Sequence, residues 1–406
     1  MTLSHGRHYL AIPGPSVIPD SVLSAMHRPA PNIYEGELIS LTGRILSDLK
    51  RVAGTTGDVA IYIANGHGAW EAAAANVIAP GDEVLVLATG PFALGWAEIV
   101  RRLGGRPRIV DFGRQGPIDA ERVKDILARD RDRAIRAVMM VHVDTATSIR
   151  SEPARVRAAI DAAGHPALLL VDGIASVGIE ALHMDAEGID VLVGASQKGL
   201  MTPPGLGLVW FGERAEEKRS NGPAPSAYWD WRPRTRPEAY YQHFCGTAPT
   251  HHLFALAEAL RLLLEEQGLE AAWARHAALA RAVWAAVDCW DEAGAIAFNV
   301  PDAAARAHGV TALRMAPPFA TRLREWLADN VGVTLGIGLG MAAPDDPAWH
   351  GFFRIGHMGH VNAHMVLGVL GAIEAALAAL GIDRGEGAVA AAAKVIAEAV
   401  EAAPTS

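Results

Sequence analysis

The chain has 406 residues, half of them apolar, and a formal net charge of −9 with no basic run, which argues against nucleic-acid binding because phosphate recognition needs a clustered positive surface. Its two cysteines, Cys245 and Cys289, lack a CxxC spacing, so we expect neither a disulfide framework nor a structural metal site. No basic-then-apolar leader begins the chain, and its apolar stretches are shorter than the roughly 20 residues of a membrane helix, so we predict a cytoplasmic protein with no membrane partner.

The first 20 residues contain Pro13, Pro15 and Pro19 and indicate an extended N-terminal arm. The strands predicted after it are 59–64, 83–88, 108–111, 137–143, 167–171, 191–195 and 206–211, and the helices between them are 70–78, 92–103, 120–129 and 154–163. Several of these strands are apolar at consecutive residues, which indicates that both faces of the sheet are covered. The β-α-β-α order therefore predicts an α/β fold with a mostly parallel, doubly wound sheet.

The pattern changes near residue 250, where a helical stretch begins that is interrupted at Gly268. Strand-like and helical segments mix from residue 283 to residue 380, and an alanine-rich helix follows Gly387. We predict an arm over 1–20, a large domain over 21–282 and a smaller C-terminal α+β domain over 283–406. The segment 226–242, rich in tryptophan and arginine, is predicted to be an irregular excursion, a kind of segment that usually serves function or an interface.

Ligands in open parallel sheets collect at the carboxyl ends of the strands, so the residues that follow each strand are informative. The strand 59–64 leads to Gly66, His67 and Gly68, directly before a predicted helix. Free backbone N–H groups at such a helix N-terminus form an anion site. A plain strand-to-helix turn is the alternative. A dinucleotide-binding fingerprint is excluded because Glu71 occupies the position of its third glycine.

Two ionisable residues follow buried strands later in the chain. Asp172 ends the run 167–171, where a carboxylate is costly unless something pairs with it, although it could instead cap the next segment. Lys198 follows the strand 191–195, where burial would lower the amine pKa and make it a nucleophile toward an aldehyde, unless the side chain reaches solvent. An anion site, a carboxylate and a buried lysine are together what a pyridoxal 5'-phosphate site requires.

The chain also resembles a known family. It is similar to the class V, fold type I aminotransferases, in the alanine/serine–glyoxylate (serine–pyruvate) branch, in the segments IPGPSVIP, NGHGAWEAAAANVIAPGDEVLV, VDGIASVG, GASQKGLMTPPGLG, GTAPTHHLFAL and FFRIGHMGH. The similarity extends from residue 10 to residue 380. It implies pyridoxal 5'-phosphate as cofactor and a homodimer whose active sites are shared between the subunits.

The resemblance assigns roles to individual residues. Lys198 corresponds to the Schiff-base lysine, and Asp172 to the carboxylate that pairs with the pyridine nitrogen of the cofactor. Around the cofactor it places Gly66, His67, Gly68 and Gln197 at the phosphate, Thr145 and Ile174 at the ring, and Thr247 reaching the phosphate from the second subunit. Arg354 corresponds to the arginine that binds the substrate α-carboxylate, for which a guanidinium fork is well suited.

Two positions depart from the family pattern. Phe92 falls nearest the aromatic residue that stacks on the cofactor ring, and Trp96 competes with it for that role. Phe244 lies near the position where many relatives carry a phosphate-binding tyrosine, so one phosphate contact fewer is expected.

These observations predict a transaminase that moves an amino group from serine or alanine to glyoxylate or pyruvate. The alternatives are a lyase or desulfurase on the same fold, a pyridoxamine–pyruvate-type transaminase, and a non-catalytic ligand sensor. Desulfurase relatives carry histidine before the lysine, where this chain has Gln197. A dicarboxylic substrate would need Arg232, Arg234 or Arg236 buried against its second carboxylate, so small monocarboxylic amino acids and 2-oxo acids are the expected partners.

Overall fold

Strands and helices alternate through the first half of the chain in a computed structural model that describes residues 3–222 and 225–402. The strands are β1 (Tyr9–Ala11), β2 (Asp58–Ile63), β3 (Glu83–Ala88), β4 (Arg106–Asp111), β5 (Ile135–Val141), β6 (Val143–Asp144), β7 (Ile149–Arg150), β8 (Leu168–Asp172), β9 (Val191–Ala195), β10 (Leu206–Phe211), β11 (Ala297–Phe298), β12 (Val310–Arg314), β13 (Val333–Ile337) and β14 (Phe352–Gly356). The α-helices are α1 (Asp20–Met26), α2 (Glu37–Ala53), α3 (Gly66–Val77), α4 (Pro91–Arg102), α5 (Ala120–Arg129), α6 (Pro153–Ala162), α7 (Glu213–Asn221), α8 (Arg232–Thr235), α9 (Thr250–Arg261), α10 (Leu269–Asp291), α11 (Phe319–Val331), α12 (Ala363–Ala379) and α13 (Ala388–Glu401). A π-helical turn, Leu262–Gln267, separates α9 from α10.

The central sheet has seven strands in the order β2-β10-β9-β8-β5-β3-β4. Its strands run parallel except β10, which is antiparallel to both of its neighbours. Every residue of β8, β9 and β10 is buried, as expected for strands that are covered on both faces. The predicted mostly parallel, doubly wound sheet is confirmed, and the carboxyl ends of β2, β5, β8 and β9 meet along one edge.

Two apolar layers cover this sheet, because consecutive side chains of a strand point to opposite faces. In β8, Leu169 and Val171 pack into the layer that α2, α5, α6 and α9 complete. Leu168 and Leu170 pack into the layer completed by α3 and α4. Burial of each side chain of this size contributes about 1.5–3 kcal/mol to the stability of the fold. The two layers therefore hold the strands, and the edge at which they end, in place.

A second sheet, in the order β1-β13-β14-β12-β11, lies in the C-terminal half. Its strands are antiparallel except β1, which comes from the N-terminal segment and pairs in parallel with β13. Apolar side chains of α10, α11, α12 and α13 cover one face of the sheet, with Trp290, Phe353 and Leu370 fully buried. The first residues of the chain therefore belong to the same sheet as the last strands.

Helix α10 contributes to both apolar cores. Ala272 packs into the core of the central sheet, whereas Leu279, Val283 and later residues of the helix pack into the core of the second sheet. The predicted boundary between residues 282 and 283 lies inside this continuous helix. The division of the chain into an arm, a large domain and a small domain stays a prediction.

Within residues 3–222 and 225–402, no helix combines the length and the apolar character that crossing a bilayer requires. The same residues contain no cluster of three or more histidine, cysteine, aspartate or glutamate side chains arranged to hold a metal ion.

Candidate active site

A cavity of about 190 Å³ opens at the carboxyl edge of the central sheet. Its walls are formed by Asn65, Gly66, His67, Trp70, Phe92, Val143, Thr145, Asp172, Ile174, Ala175, Gln197 and Lys198. Eight of the residues that the sequence placed around a cofactor are among these walls. A larger cavity of about 780 Å³ lies between the N-terminal segment and α12, but neither Lys198 nor Asp172 lines it, so the chemistry points to the smaller one.

Lys198 enters the cavity two residues after Ser196, in the turn that ends β9. Its Nζ donates a hydrogen bond to the backbone carbonyl of Pro13. Burial lowers the pKa of Lys198 to about 8, and the positive charge of Arg354 adds to this effect, while the charge of Asp172 opposes it. A substantial fraction of the amine is therefore neutral near physiological pH, as a nucleophile toward a carbonyl requires.

Asp172 is the last residue of β8 and is buried in the cavity wall. Its Oδ1 accepts from the backbone N–H of Ile174 at 2.8 Å, and its Oδ2 accepts from Nε1 of Trp70 at 3.0 Å. Burial nevertheless raises the pKa of Asp172 to about 7, and nearby Asp144 contributes to the increase. A cation or a protonated ring nitrogen in the cavity would favour ionised Asp172.

The first turn of α3 forms the part of the cavity suited to an anion. The side chain of Asn65 accepts a hydrogen bond from Gly68 N at 3.2 Å and caps the helix. A Cβ on Gly66 would lie 2.5 Å from Cδ1 of Ile174, so the glycine lets this side chain pack closely against the backbone at the start of α3. Oε1 of Gln197 is buried and has no hydrogen-bond partner in the described part of the chain. Backbone N–H groups at a helix N-terminus suit a phosphate, and the side-chain N–H group of Gln197, which lines the same cavity, is a further donor.

The structure separates the two candidates for the stacking aromatic. Phe92, in the first turn of α4, lines the cavity. Trp96 lies behind it, buried against Trp70 with ring centroids 6.0 Å apart and planes 15° apart, and its Nε1 donates to the carbonyl of Trp70 at 3.2 Å. Phe92 therefore has access to a ligand ring in this cavity, whereas Trp96 supports Trp70, which in turn holds Asp172.

Arg354 comes from the second sheet, on β14. Its Nη1 donates to the carbonyl of Thr145 at 2.7 Å, and its Nε donates to the carbonyl of Ile337 at 2.7 Å. Burial lowers the pKa of Arg354 to about 10, so the guanidinium stays charged at neutral pH. Because Thr145 lines the cavity, this contact brings the cation of the second sheet to the edge of the site.

Thr247 is not among the walls of the cavity. It lies exposed in the turn after the 3-10 helix Tyr240–Phe244. Phe244 itself is buried, in edge contact with Tyr240, so its position is filled by apolar packing. The predicted contact of Thr247 with the phosphate across a dimer stays a prediction.

The arginines of the excursion have structural partners. Arg234 is 1% exposed and donates to the carbonyls of Ile61, His243 and Tyr228 at 2.9, 3.2 and 2.6 Å. Its guanidinium also lies 4.3 Å from the ring centroid of Tyr62. Arg232 and Arg236 both form ion pairs with Glu216. None of the three arginines lines the cavity.

The walls of the cavity fit pyridoxal 5'-phosphate. They combine an amine that is partly neutral, a buried carboxyl that gains from a cation, a helix N-terminus for a phosphate and an aromatic side chain for a ring. Sequence reasoning missed Trp70, whose indole binds Asp172, and Asp144, a buried carboxyl on the loop that carries Thr145.

Residues 34–363 match the family model described as Aminotransferase class-V. The chain is a class-V aminotransferase. This class-V aminotransferase is 35% identical over 390 residues to the serine–glyoxylate aminotransferase of Methylorubrum extorquens, covering 94% of the chain and 92% of that protein. It is 33% identical over 373 residues to the L-aspartate–glyoxylate aminotransferase of Paracoccus denitrificans, covering 91% of each protein.

Its fold is shared with solved structures of the same class. The pyridoxamine-pyruvate aminotransferase from Mesorhizobium loti superposes with a TM-score of 0.86 at 26% identity, covering 97% of this chain and 98% of that one. The predicted resemblance to class V, fold type I aminotransferases is confirmed, as is the prediction of a transaminase.

Proposed function

We propose that this class-V aminotransferase uses pyridoxal 5'-phosphate to move an amino group from a small amino acid, serine or alanine, to glyoxylate or pyruvate. The observation that carries the proposal is the meeting of Lys198 and Asp172 in one cavity, each with a pKa moved toward neutrality by burial. Perturbed pairs of this kind are typical of catalytic sites.

Lys198 and Asp172 have separate roles in the proposed reaction. Lys198 would hold the cofactor through its aldehyde and, once the substrate amine has displaced it, would carry the α-proton of the substrate to the aldehyde carbon of the cofactor. Asp172 keeps the ring nitrogen of the cofactor protonated, and Trp70 and Ile174 fix the carboxylate through its two oxygens. Bound in this way, the cofactor supplies the electron-withdrawing ring that makes the α-proton acidic.

The phosphate of the cofactor is assigned to the first turn of α3, where Gly66, His67 and Gly68 lie, and to the amide of Gln197. Gln197 lines the cavity, and its side-chain N–H group is the donor that would face a phosphate oxygen. Phe92 is assigned to the face of the ring and Thr145 to its edge, since both line the cavity.

Arg354 binds the α-carboxylate of the substrate through its guanidinium fork. A small monocarboxylic substrate is supported by the positions of Arg232, Arg234 and Arg236, which are engaged away from the cavity of their own chain. An aspartate side chain would require a second cation, and the positive charge of Arg324 is close enough to contribute to the lowered pKa of Arg354. The names of the Methylorubrum and Paracoccus relatives span both substrate types.

The proposed assembly is a homodimer in the cytoplasm, in which Thr247 of the partner subunit completes the phosphate site. The exposure of this threonine on its own chain supports that role. A monomer by light scattering that keeps full activity would overturn the shared site.

The experiment is a matrix of amino donors and oxo-acid acceptors, compared by kcat/KM, with spectra of the visible cofactor band recorded for each donor. Serine or alanine with glyoxylate or pyruvate should rank first, and Lys198→Ala should abolish both the band and turnover while the protein stays folded. Turnover of Lys198→Ala near the wild-type rate would refute the assignment. Aspartate ahead of serine and alanine by more than about tenfold would refute the monocarboxylic preference, and loss of that advantage in Arg324→Met would locate the second carboxylate. Turnover with free pyridoxamine would favour the pyridoxamine–pyruvate type.

A further inference from the structure

The N-terminal segment from Pro13 to Ser16, which we name the strap, crosses the turn that carries Lys198. The hydroxyl of Ser16 donates to the carbonyl of Lys198 at 2.7 Å, and the backbone N–H of Ser16 donates to the carbonyl of Gln197 at 2.9 Å. Ser16 is 6% exposed, so water competes little for these bonds. The backbone of the lysine turn is thereby held by a segment more than 180 residues distant in sequence.

The strap also holds the end of the lysine side chain. Nζ of Lys198 donates to the carbonyl of Pro13. The neighbouring Gly14 has a φ of +102°, and a Cβ there would lie 2.5 Å from both Nζ and Cδ of Lys198. Only glycine combines this backbone conformation with so close an approach, so the sequence Pro13-Gly14 and the pose of the amine depend on each other.

The other side of the strap packs against the sheet that carries Arg354. Strand β1, directly before the strap, pairs with β13. A Cβ on Gly336 would lie 2.9 Å from Cδ of Pro13 and 3.1 Å from Cβ of Arg354, and Gly336 is the register partner of Arg354. A continuous line of contacts therefore runs from Arg354 through Gly336 and Pro13 to the amine of Lys198.

We propose that the strap is a positioning element for Lys198: it keeps the amine on the Pro13 carbonyl whenever the amine is not bonded to the cofactor, and it sets the place of that amine relative to Arg354. The inference deepens the proposed function and rests on the role given there to Lys198. A lysine side chain has about 2 kcal/mol of rotamer entropy to lose, and a fixed acceptor removes part of that cost before each proton transfer. The proton taken from the substrate would stay on Nζ, shared with the Pro13 oxygen, until it is delivered to the accepting carbon.

The test uses the cofactor-free full-length protein, in which an amine-specific acylating reagent modifies Lys198 and mass spectrometry measures the rate from pH 6 to pH 10. The wild-type rate should rise with a midpoint near 8. Gly14→Ala forces the side chain off the Pro13 carbonyl and out of its buried position, so its midpoint should move by about one unit or more. Gly36→Ala is the matched control, because Gly36 has a φ of +91° and no described atom lies within 4 Å of a Cβ placed there.

Ser16→Ala is a second variant that tests the strap if Gly14→Ala does not fold, because it removes one hydrogen bond without changing the backbone conformation. In the holoenzyme it should lower kcat by about tenfold with KM unchanged, since it loosens the lysine turn and not the substrate site. Wild-type midpoints in Gly14→Ala, or an unchanged kcat in Ser16→Ala if Gly14→Ala does not fold, would overturn the proposal. The two proposals can fail separately. If the proposed function is wrong, the wild-type protein will not catalyse transamination, but the labelling midpoints will still test the strap.

Discussion

Replacing Asp172 by asparagine tests the electrostatics of the cavity in the cofactor-free protein. Burial raises the pKa of Asp172 to about 7 from an ordinary value of 3.8, so the folded state holds this proton more tightly than the unfolded chain. The stability that the proton contributes is complete below the unfolded pKa and is lost as the pH rises through about 7. The difference of about three units corresponds to roughly 4 kcal/mol, of which about 2.5 kcal/mol is lost between pH 5 and pH 8.

The assay is urea unfolding of the cofactor-free protein at several pH values between 5 and 8. Asparagine does not titrate, so the free energy of unfolding of Asp172→Asn relative to wild type should rise by about 2.5 kcal/mol across this interval. Asp345→Asn is the control for the change of charge, because Asp345 is exposed on a loop and does not line the cavity.

A pH-independent difference for Asp172→Asn would show that Asp172 is not the carboxyl that keeps its proton in the folded protein. In the loaded enzyme the same substitution should lower the transamination rate roughly 100-fold or more, because a buried charge-assisted partner is worth a few kcal/mol. A decrease smaller than about threefold would assign the pairing with the ring nitrogen to another carboxylate.

Four further substitutions separate binding from stability. Arg354→Lys should lower kcat/KM at least about tenfold for every acid in the donor and acceptor matrix, because an ammonium cannot reproduce the guanidinium fork; one acid left unaffected would contradict this. Arg234→Met should cost roughly 3–5 kcal/mol in urea unfolding, because three buried carbonyls lose their donor, while the order of preferred donors stays the same. Phe92→Leu should weaken pyridoxal 5'-phosphate binding about three- to tenfold in a fluorescence titration with unfolding nearly unchanged. Trp96→Phe should instead cost about 1 kcal/mol of stability with the loss of its hydrogen bond to Trp70, and equal effects of the two on cofactor affinity would contradict the separation.

Much of the central sheet follows from local sequence. The predicted strands 83–88, 191–195 and 206–211 coincide with β3, β9 and β10, because each is a short apolar run bounded by turn residues. The rule that ligands bind at the carboxyl ends of parallel strands predicted that Asp172 and Lys198 lie near each other, and both residues line one cavity. The sequence also indicates that β10 is antiparallel to β9, because the ten residues between the two strands are too few for a parallel crossover.

The remaining features depend on contacts between distant residues. Nothing in the local sequence links Trp70 to Asp172, or Pro13 to Lys198, because each pair is brought together by packing across the fold. Arg234 lies in a segment that is irregular and rich in charge, a composition typical of exposed loops, yet it is buried with its donors on three carbonyls. Pattern alone cannot decide such burial, since it depends on which acceptors the fold leaves unpaired.

The pairing of β1 with β13 also sets an order of events during biosynthesis. Tyr9 is in register with Val333, so the strand that leaves the ribosome first waits for a partner more than 300 residues later. At about 5–20 residues per second this delay lasts roughly 15 to 60 s. Lys198 is made part-way through this interval, and until β13 follows it the Pro13 carbonyl is not fixed beside it; β14 with Arg354 is made later still. The site in which Pro13 holds the amine of Lys198 next to Arg354 therefore forms only after residue 354 has been made.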